Sequence, residues 1–256
     1  MGWERKRGKL VELNRLLAGD RTTSYTIHVG APEALRAIHF VITLDADTEL
    51  PREAAQRLAA TLGHPLNCAE FDAASGRVTA GYTILQPRID VTPASVESSW
   101  FARLFAGDTG LDLYARAVSD VYQDLFAEGI YVGKGIYDPR AFERSLRGRV
   151  PENTLLSHDL FEGIHGRAGL VTDVVLLEDY PRAYLVYADR LHRWARGDWQ
   201  LLPWLRGRVP LDGGNVPNHL SALARWMIVD NLRRTLLAPA LLGFLIAAWL
   251  WFPGSA

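Results

Sequence analysis

Phe40-Val41-Ile42-Thr43-Leu44-Asp45-Ala46-Asp47-Thr48-Glu49-Leu50-Pro51 is a run of apolar and β-branched residues that ends in two acids one residue apart. Its period and composition fit a buried strand covered on both faces, as in an α/β fold. Ligands in such folds gather where the strands end at their carboxyl side. If the strand persists, alternation puts Asp45 and Asp47 on one side, and a turn can aim both at one ion. Two carboxylates so placed suit a hard divalent cation that in turn binds a diphosphate. The same spacing also suits an acidic, solvated turn after a strand, and the rest of the chain has to separate the two.

Working outward toward the amino end, residues 20–35 read as a polar loop. Before them Trp3 to Leu17 carries Leu10, Leu13 and Leu17 between basic residues, an amphipathic helix stopped by Gly19-Asp20. On the other side, Pro51-Arg52-Glu53 opens a helix to about Leu62, closed by Gly63-His64-Pro65. Val78 to Leu85 is a second strand, followed by Gln86-Pro87-Arg88. Two helical stretches, around Trp100-Phe101 and around Val118-Tyr122-Leu125, are split by Gly107-Asp108-Thr109-Gly110. Ile130 to Tyr137 reads as a short strand and a tight glycine turn, with a helix starting at Pro139. Gly133 and Gly135 flank Lys134, so the backbone there can approach a ligand closely; a hairpin turn with a solvated lysine has the same signature.

Ser157 reads as a helix cap, with Asp159 in the first turn. Asp159 there is either a chemical acid or simply a carboxylate favoured by the helix dipole. Val171 to Leu177 is a further strand. A helix from about Leu185 to Leu205 then carries Arg190, Arg193 and Arg196 at a spacing of three, with Trp194 and Trp199 near them. Three guanidiniums and aromatic rings suit a diphosphate and a sugar, and equally a solvated basic helix. Residues 209–216 read as a loop. Pro217 to Arg234 is an amphipathic helix (Leu220, Leu223, Trp226, Met227) suited to a membrane interface.

From Thr235 to Phe252 the chain has no charged residue. Eighteen residues of helix cover about 27 Å, close to a bilayer core of about 30 Å. Arg233 and Arg234 on one flank and Trp249 and Trp251 toward the other predict a membrane helix with the preceding domain on the cytoplasmic side; a buried helix of a soluble core is the alternative.

Across all 256 residues the net charge is −1 and 48% of residues are apolar, which excludes a disordered tail and a generally basic nucleic-acid binder. A single cysteine, Cys68, cannot form an internal disulfide and fits a reducing compartment. Residues 1–18 are charged and lack the pattern of a signal peptide. Asp45, Asp47, Asp159 and His158 also fit a membrane-anchored metal phosphohydrolase, but the seven histidines show no paired metal spacing.

The order of these features carries more than any one of them. A strand ending in Asp-x-Asp, a His-Asp helix start, Arg-x-x-Arg-Trp and a membrane helix resemble the membrane-embedded processive glycosyltransferases with a GT-A fold. The resemblance is closest to the cyclic β-1,2-glucan synthases, glycosyltransferase family 84. It rests on Trp3-Glu4-Arg5-Lys6-Arg7-Gly8-Lys9-Leu10, Thr43-Leu44-Asp45-Ala46-Asp47-Thr48, Leu85-Gln86-Pro87-Arg88, Gly133-Lys134-Gly135-Ile136-Tyr137-Asp138, Leu156-Ser157-His158-Asp159-Leu160-Phe161-Glu162-Gly163 and His192-Arg193-Trp194-Ala195-Arg196-Gly197-Asp198-Trp199-Gln200.

The resemblance implies an inverting glucosyltransferase at the bacterial inner membrane, with UDP-glucose as donor and a growing β-1,2-glucan as acceptor. It implies Mg²⁺ or Mn²⁺ at Asp45 and Asp47, and Asp159 as the base that takes the acceptor proton. Arg193, Trp194 and Arg196 would hold the diphosphate and line the acceptor channel, with Asp198, Lys134, Gln86 and His158 also at the donor and acceptor sites. Arg190 stands where the family pattern has glutamine. The expected layout is a partial GT-A-like domain over 1–208, a loop and interfacial helix over 209–234, and a transmembrane helix over 235–253. The family's amino-terminal nucleotide-binding strands, further membrane spans and phosphorylase-like domain have no counterpart in these residues. A second reading is therefore a non-catalytic fragment of such a synthase that binds sugar or a partner, including the missing parts of the synthase.

Overall fold

The computed structural model describes residues 5–20, 22–26, 29–106, 120–211 and 214–251. Trp3-Glu4, the Gly107–Gly110 turn, Val118 and the last residue of the apolar stretch, Phe252, lie outside them.

A five-stranded mixed sheet organises the chain, in the order β1 (Val41–Thr43), β6 (Gly135–Tyr137), β5 (Ile84–Val91), β7 (Ala168–Glu178), β2 (Thr48–Glu49). β5 and β7 run parallel; β1 and β5 each pair antiparallel with β6, and β2 antiparallel with β7. Alternation along the strands feeds two cores. Ile84 and Tyr137 face a large cluster with Phe142, Phe161, Trp204, Met227 and Ile228, whereas Leu85 and Ile136 face a second one with Leu58 and Leu62 of α3 (Ala54–Leu62). The chain is thus mixed α/β with helices on both faces of the sheet. α7 (Pro139–Leu146), α8 (Asp159–Gly166) and the start of α10 (Ala222–Trp251) cover the first face, with α1 (Arg5–Leu17) packed on α7.

Pro87 sits inside a central strand, where its missing N–H breaks the ladder. The register shifts there, from Pro87 opposite Val171 to Arg88 opposite Val175. The neighbouring Gln86 is fully buried. It donates to the Pro87 carbonyl at 2.8 Å and accepts the Val132 N–H at 2.9 Å, so its side chain supports the loop that carries Lys134.

Several local expectations are corrected. The loop expected over residues 20–35 closes with a single helical turn, α2 (Pro32–Leu35), and a similar turn, α4 (Pro93–Val96), follows β5; each has a proline in its first turn, where a missing N–H costs nothing. The strand expected over Val78–Leu85 divides, because Val78–Ala80 (β4) forms a hairpin with Glu70–Phe71 (β3) and Gly81, at φ +64°, turns the chain into β5. The helix expected from Pro51 starts at Ala54, since Glu53 takes a left-handed φ of 65°. Near Gly133 the turn precedes the strand rather than following it. Ser157 does not cap α8: His158 occupies the cap position with no side-chain bond to the helix. α9 (Tyr184–Gln200) stops short of Leu205 and a short 3₁₀ turn over Leu202–Leu205 follows, as Pro203 has no N–H to continue the ladder.

The expected loop at 209–216 is a hairpin of β8 (Arg208–Leu211) and β9 (Gly214–Pro217). The separate interfacial helix is also corrected, since residues 222–251 form one continuous helix. Ala224, Met227, Ile228, Asn231 and Leu232 bury one side of its first half against the domain, while Trp226 and Val229 on that half stay exposed. Its apolar second half is long and apolar enough to cross a membrane, and no part of that stretch is buried by the protein.

Candidate functional site

At the ends of β1, β5 and β7 a cavity of about 1010 Å³ collects Lys6, Asp45, Asp47, Lys134, His158, Asp159, Glu162, Glu178, Arg190, Arg193, Trp194, Asp198 and Arg234 among its walls. Most of the residues singled out from the sequence meet here. Two do not. Gln86 is buried beneath the site and acts on the Val132 loop, and Arg196 is exposed and lies outside the cavity wall.

After β1 the chain turns at Asp45-Ala46-Asp47-Thr48, closed by Thr48 N–H on the Asp45 carbonyl at 3.1 Å. The two carboxylates reach different cations. Asp45 accepts from Lys6 at 2.8 Å and lies 3.4 Å from Lys134, while Asp47 pairs with Arg190 at 3.3 Å. Burial pushes the Asp45 carboxyl upward, but its bonds to Lys6 and Lys134 outweigh that and hold it below the ordinary aspartate value. Lys134 is itself largely buried and bonded to Glu178; burial would lower its ammonium, and the Glu178 and Asp45 carboxylates raise it instead.

Lys6 arrives from α1, which Asn14 ties down by bonding both Glu143 and the Tyr137 hydroxyl at 2.9 Å. Its ammonium also donates to the Gly133 carbonyl at 2.9 Å, so it bridges the acidic turn and the glycine loop.

Gly133, at φ +88°, allows Asp159 to lie directly against the loop backbone. A methyl group there would stand 2.7 Å from Asp159 Oδ1. Burial raises the Asp159 carboxyl above its ordinary value, and Lys6 and Lys134 moderate the shift while Asp45 adds to it. One helical turn on, Glu162 is buried and pushed up to about 8, chiefly by burial and then by Asp159, with Arg7 opposing from 4.0 Å.

The opposite wall is α9. Gly197 lets it approach the His158 loop, for a Cβ there would meet the Ser157 Cβ at 2.5 Å. Gln200 accepts the Leu156 N–H at 2.7 Å. Asp198, buried, takes Arg234 at 2.9 Å and Asn231 at 3.2 Å, both from α10. Arg190 and Arg234 each lie within 6 Å of the Trp194 ring centroid. An aromatic group of Phe101, Tyr180, Tyr184 and Tyr187, with ring centroids 6.0–6.2 Å from Phe101, extends the wall.

Among the described residues, no group of three His, Cys, Asp or Glu side chains is gathered as a metal site. Asp45 and Asp47 nevertheless match the donor set that a magnesium-like ion takes when it arrives with phosphates, one or two carboxylates with the remaining positions filled by phosphate and water. The donor chemistry fits such an ion; the cations now beside the two acids are also those a diphosphate would attract.

Lys6, Glu162, Glu178, Asn231 and Arg234 were not singled out as site residues. Lys6 and Glu178 lie 39 and 44 residues from their partners, a contact with no local signature. Arg234 had the signature of a membrane-flanking arginine. Glu162 alone carried a signal, an acid on the inner side of a short helix one turn after Asp159.

No family model matches the chain. Cyclic beta-(1,2)-glucan synthase NdvB of Rhizobium meliloti is 48% identical over 252 residues, 97% of this chain, and the chain spans 8% of that protein's length. Identity at that level over 252 residues marks common descent, so the chain is homologous along nearly its whole length to a stretch of a cyclic β-(1,2)-glucan synthase.

Proposed function

We propose that these residues form the catalytic part of an inverting, metal-dependent glucosyltransferase. It moves glucose from UDP-glucose to a growing β-1,2-glucan on the cytoplasmic side of the bacterial inner membrane, with α10 spanning the bilayer. The homology supports glucan synthesis. The observation that carries the chemistry is the cavity itself: one carboxylate, Asp159, lies against the Gly133 loop and faces a cluster of cations and a tryptophan.

Asp159 takes the proton from the acceptor hydroxyl. That oxygen forms its bond to the anomeric carbon as the bond to the diphosphate oxygen breaks, and UDP leaves with the electron pair. Attack from the face opposite the leaving group turns the α-linked donor into a β-linked product. Burial, which raises Asp159, makes it the better proton acceptor. Lys6, Lys134 and Arg190 supply positive charge where the diphosphate gains negative charge. Mg²⁺ or Mn²⁺, held by Asp45 and Asp47, would neutralise further charge on the departing diphosphate. Trp194 offers a flat face for a sugar ring, and Arg193 lies in the same wall.

The test is Asp159→Asn in the membrane-reconstituted protein. Transfer of labelled glucose should fall by about 10²–10⁴-fold, the usual contribution of a positioned base. Mn²⁺-dependent UDP binding, followed by calorimetry, should stay within a few-fold. Unchanged turnover would remove Asp159 from the base role.

A further inference from the structure

Three acids are buried among the described residues, Asp120, Glu162 and Asp198, each 6% exposed. Two of them are hydrogen-bonded. Asp120 caps α6 (Val121–Phe126), accepting the Gln123 N–H at 2.9 Å. Asp198 holds Asn231 and Arg234. The Glu162 side chain makes no hydrogen bond among the described residues, and the cation paired with it, Arg7 Nε, stands at 4.0 Å. A carboxyl taken out of water without a hydrogen bond is costly, and each such group in a folded protein needs a reason.

The polar groups around Glu162 are engaged elsewhere. Asn14 of α1 bonds both Glu143 of α7 and the Tyr137 hydroxyl of β6. The Tyr131 hydroxyl lies 3.0 Å from Thr43 Oγ1, and Lys6 reaches Asp45 and the Gly133 carbonyl. Glu162 instead lines the cavity, together with Asp159. The two are three apart on α8, so both lie on one side of it with about 5–6 Å between their Cβ atoms. Gly163 seats α8 against Tyr131, where an added Cβ would stand 2.9 Å from the Tyr131 Cβ, so close backbone packing sets where the pair stands. The same cavity is walled by Trp194 and by Phe101 of α5 (Trp100–Phe105), ring faces on which a sugar can lie.

We infer that Glu162 binds the acceptor sugar through the hydroxyl next to the one that Asp159 deprotonates, and so fixes which hydroxyl attacks. The inference rests on the proposed function. For a β-1,2 link the attacking group is the 2-hydroxyl, and its free neighbour is the 3-hydroxyl. Burial and then Asp159 push Glu162 up to about 8, so its carboxyl keeps a proton near neutrality and can both donate to that hydroxyl and accept from it.

The test is a cycle between residue and hydroxyl in the membrane-reconstituted protein. The acceptors are a β-1,2-linked glucose disaccharide and the same disaccharide lacking the 3-hydroxyl of its non-reducing ring. Glu162→Met and Glu162→Ala both remove the carboxyl, so one folded variant suffices. In the wild type the deoxy acceptor should have a KM roughly three- to tenfold higher, the scale of one hydrogen bond. In the variants the intact acceptor should lose by the same factor and the two acceptors should become equal, with the UDP-glucose KM moved by less than about twofold. Glu162→Gln keeps a donor and an acceptor and should restore most of the discrimination. Equal KM for the two acceptors in a wild type that transfers glucose would overturn the inference and leave the proposed function standing. Discrimination that survives loss of the carboxyl would assign the hydroxyl to another group and overturn it as well. Acceptor and UDP-glucose KM rising together would mean a purely structural role, and the inference would fail. No transfer from UDP-glucose by the wild type would overturn both readings.

Discussion

Gly133 decides how close a backbone can come to the proposed base. Its φ of +88° and the 2.7 Å that would separate an added Cβ from Asp159 Oδ1 leave no room for a side chain. Gly133→Ala should therefore push Asp159 aside, with loss of at least about 10²-fold in glucose transfer, the scale that a misplacement of about 1 Å produces. The left-handed backbone should also cost stability, about 1–2 kcal/mol in thermal unfolding; equal transfer by the variant would count against the placement of Asp159. Glu162 makes a different statement. Its folded-state value is pushed up to about 8 by burial and by Asp159, against an ordinary value of 4.5. A raised carboxyl contributes stability that is complete below its unfolded value and is lost as pH rises toward the folded one. Unfolding temperature should fall between about pH 7 and 8 and this part of the slope should vanish in Glu162→Gln, as followed by calorimetry in detergent. The window matters because His165, buried and lowered to about 3, has the opposite slope below its ordinary 6.5. A wild-type profile flat over that interval would show that Arg7 keeps Glu162 ionised. Residue types and spacings made Asp45, Asp47, Asp159, Arg193 and Trp194 legible from the sequence, because each sits in a short local motif. Lys6 and Glu178 were not legible, since their meaning comes from strand pairing and helix packing far along the chain.

At the scale of elements, α9 and α10 act as a clasp. Asp198 of α9 bonds Asn231 and Arg234 of α10, and the Trp199 indole donates to Thr235 at 2.9 Å. The Asp198 and Arg234 side chains are 7% and 12% exposed, so the pair is well shielded from water. Removing one partner of such a pair strands the other charge, at a cost of roughly 3–5 kcal/mol. Asp198→Ala should destabilise by about that amount in denaturant unfolding of the solubilised protein; a change under about 1 kcal/mol would mean that the pair behaves as a surface contact. The elements that sequence misread have a common cause. Ends and turns were set by backbone events that periodicity does not encode: the left-handed Glu53, the turn at Gly81, and the hairpin after Gly207. The amphipathic pattern of 217–234 was real: Leu220, Met227 and Ile228 pack with Phe161 and Trp204, whereas Trp226 stays 58% exposed.

At the scale of the molecule, the sequence order of strands and helices made the α/β class readable, whereas the order of strands in the sheet was not. β1 and β2 are five residues apart in sequence and lie at opposite edges of the sheet, with β6, β5 and β7 between them. Nothing in local pattern distinguishes that arrangement from one in which they are neighbours. It does explain why the acidic turn lies where it does. The chain must cross the ends of the three middle strands between β1 and β2, and Asp45 and Asp47 are on the crossing.

α10 runs without a break from the core into the uncharged stretch, and its proline, Pro239, falls five residues beyond Arg234. Proline is where a helix bends most readily. The softening thus lies past the domain, so the domain and the first half of α10 tilt as one piece, and flexing falls in the uncharged stretch that is proposed to span the bilayer. On the proposed function, a bend placed there would leave the cavity at one height and heading above the lipid while the glucan is extended.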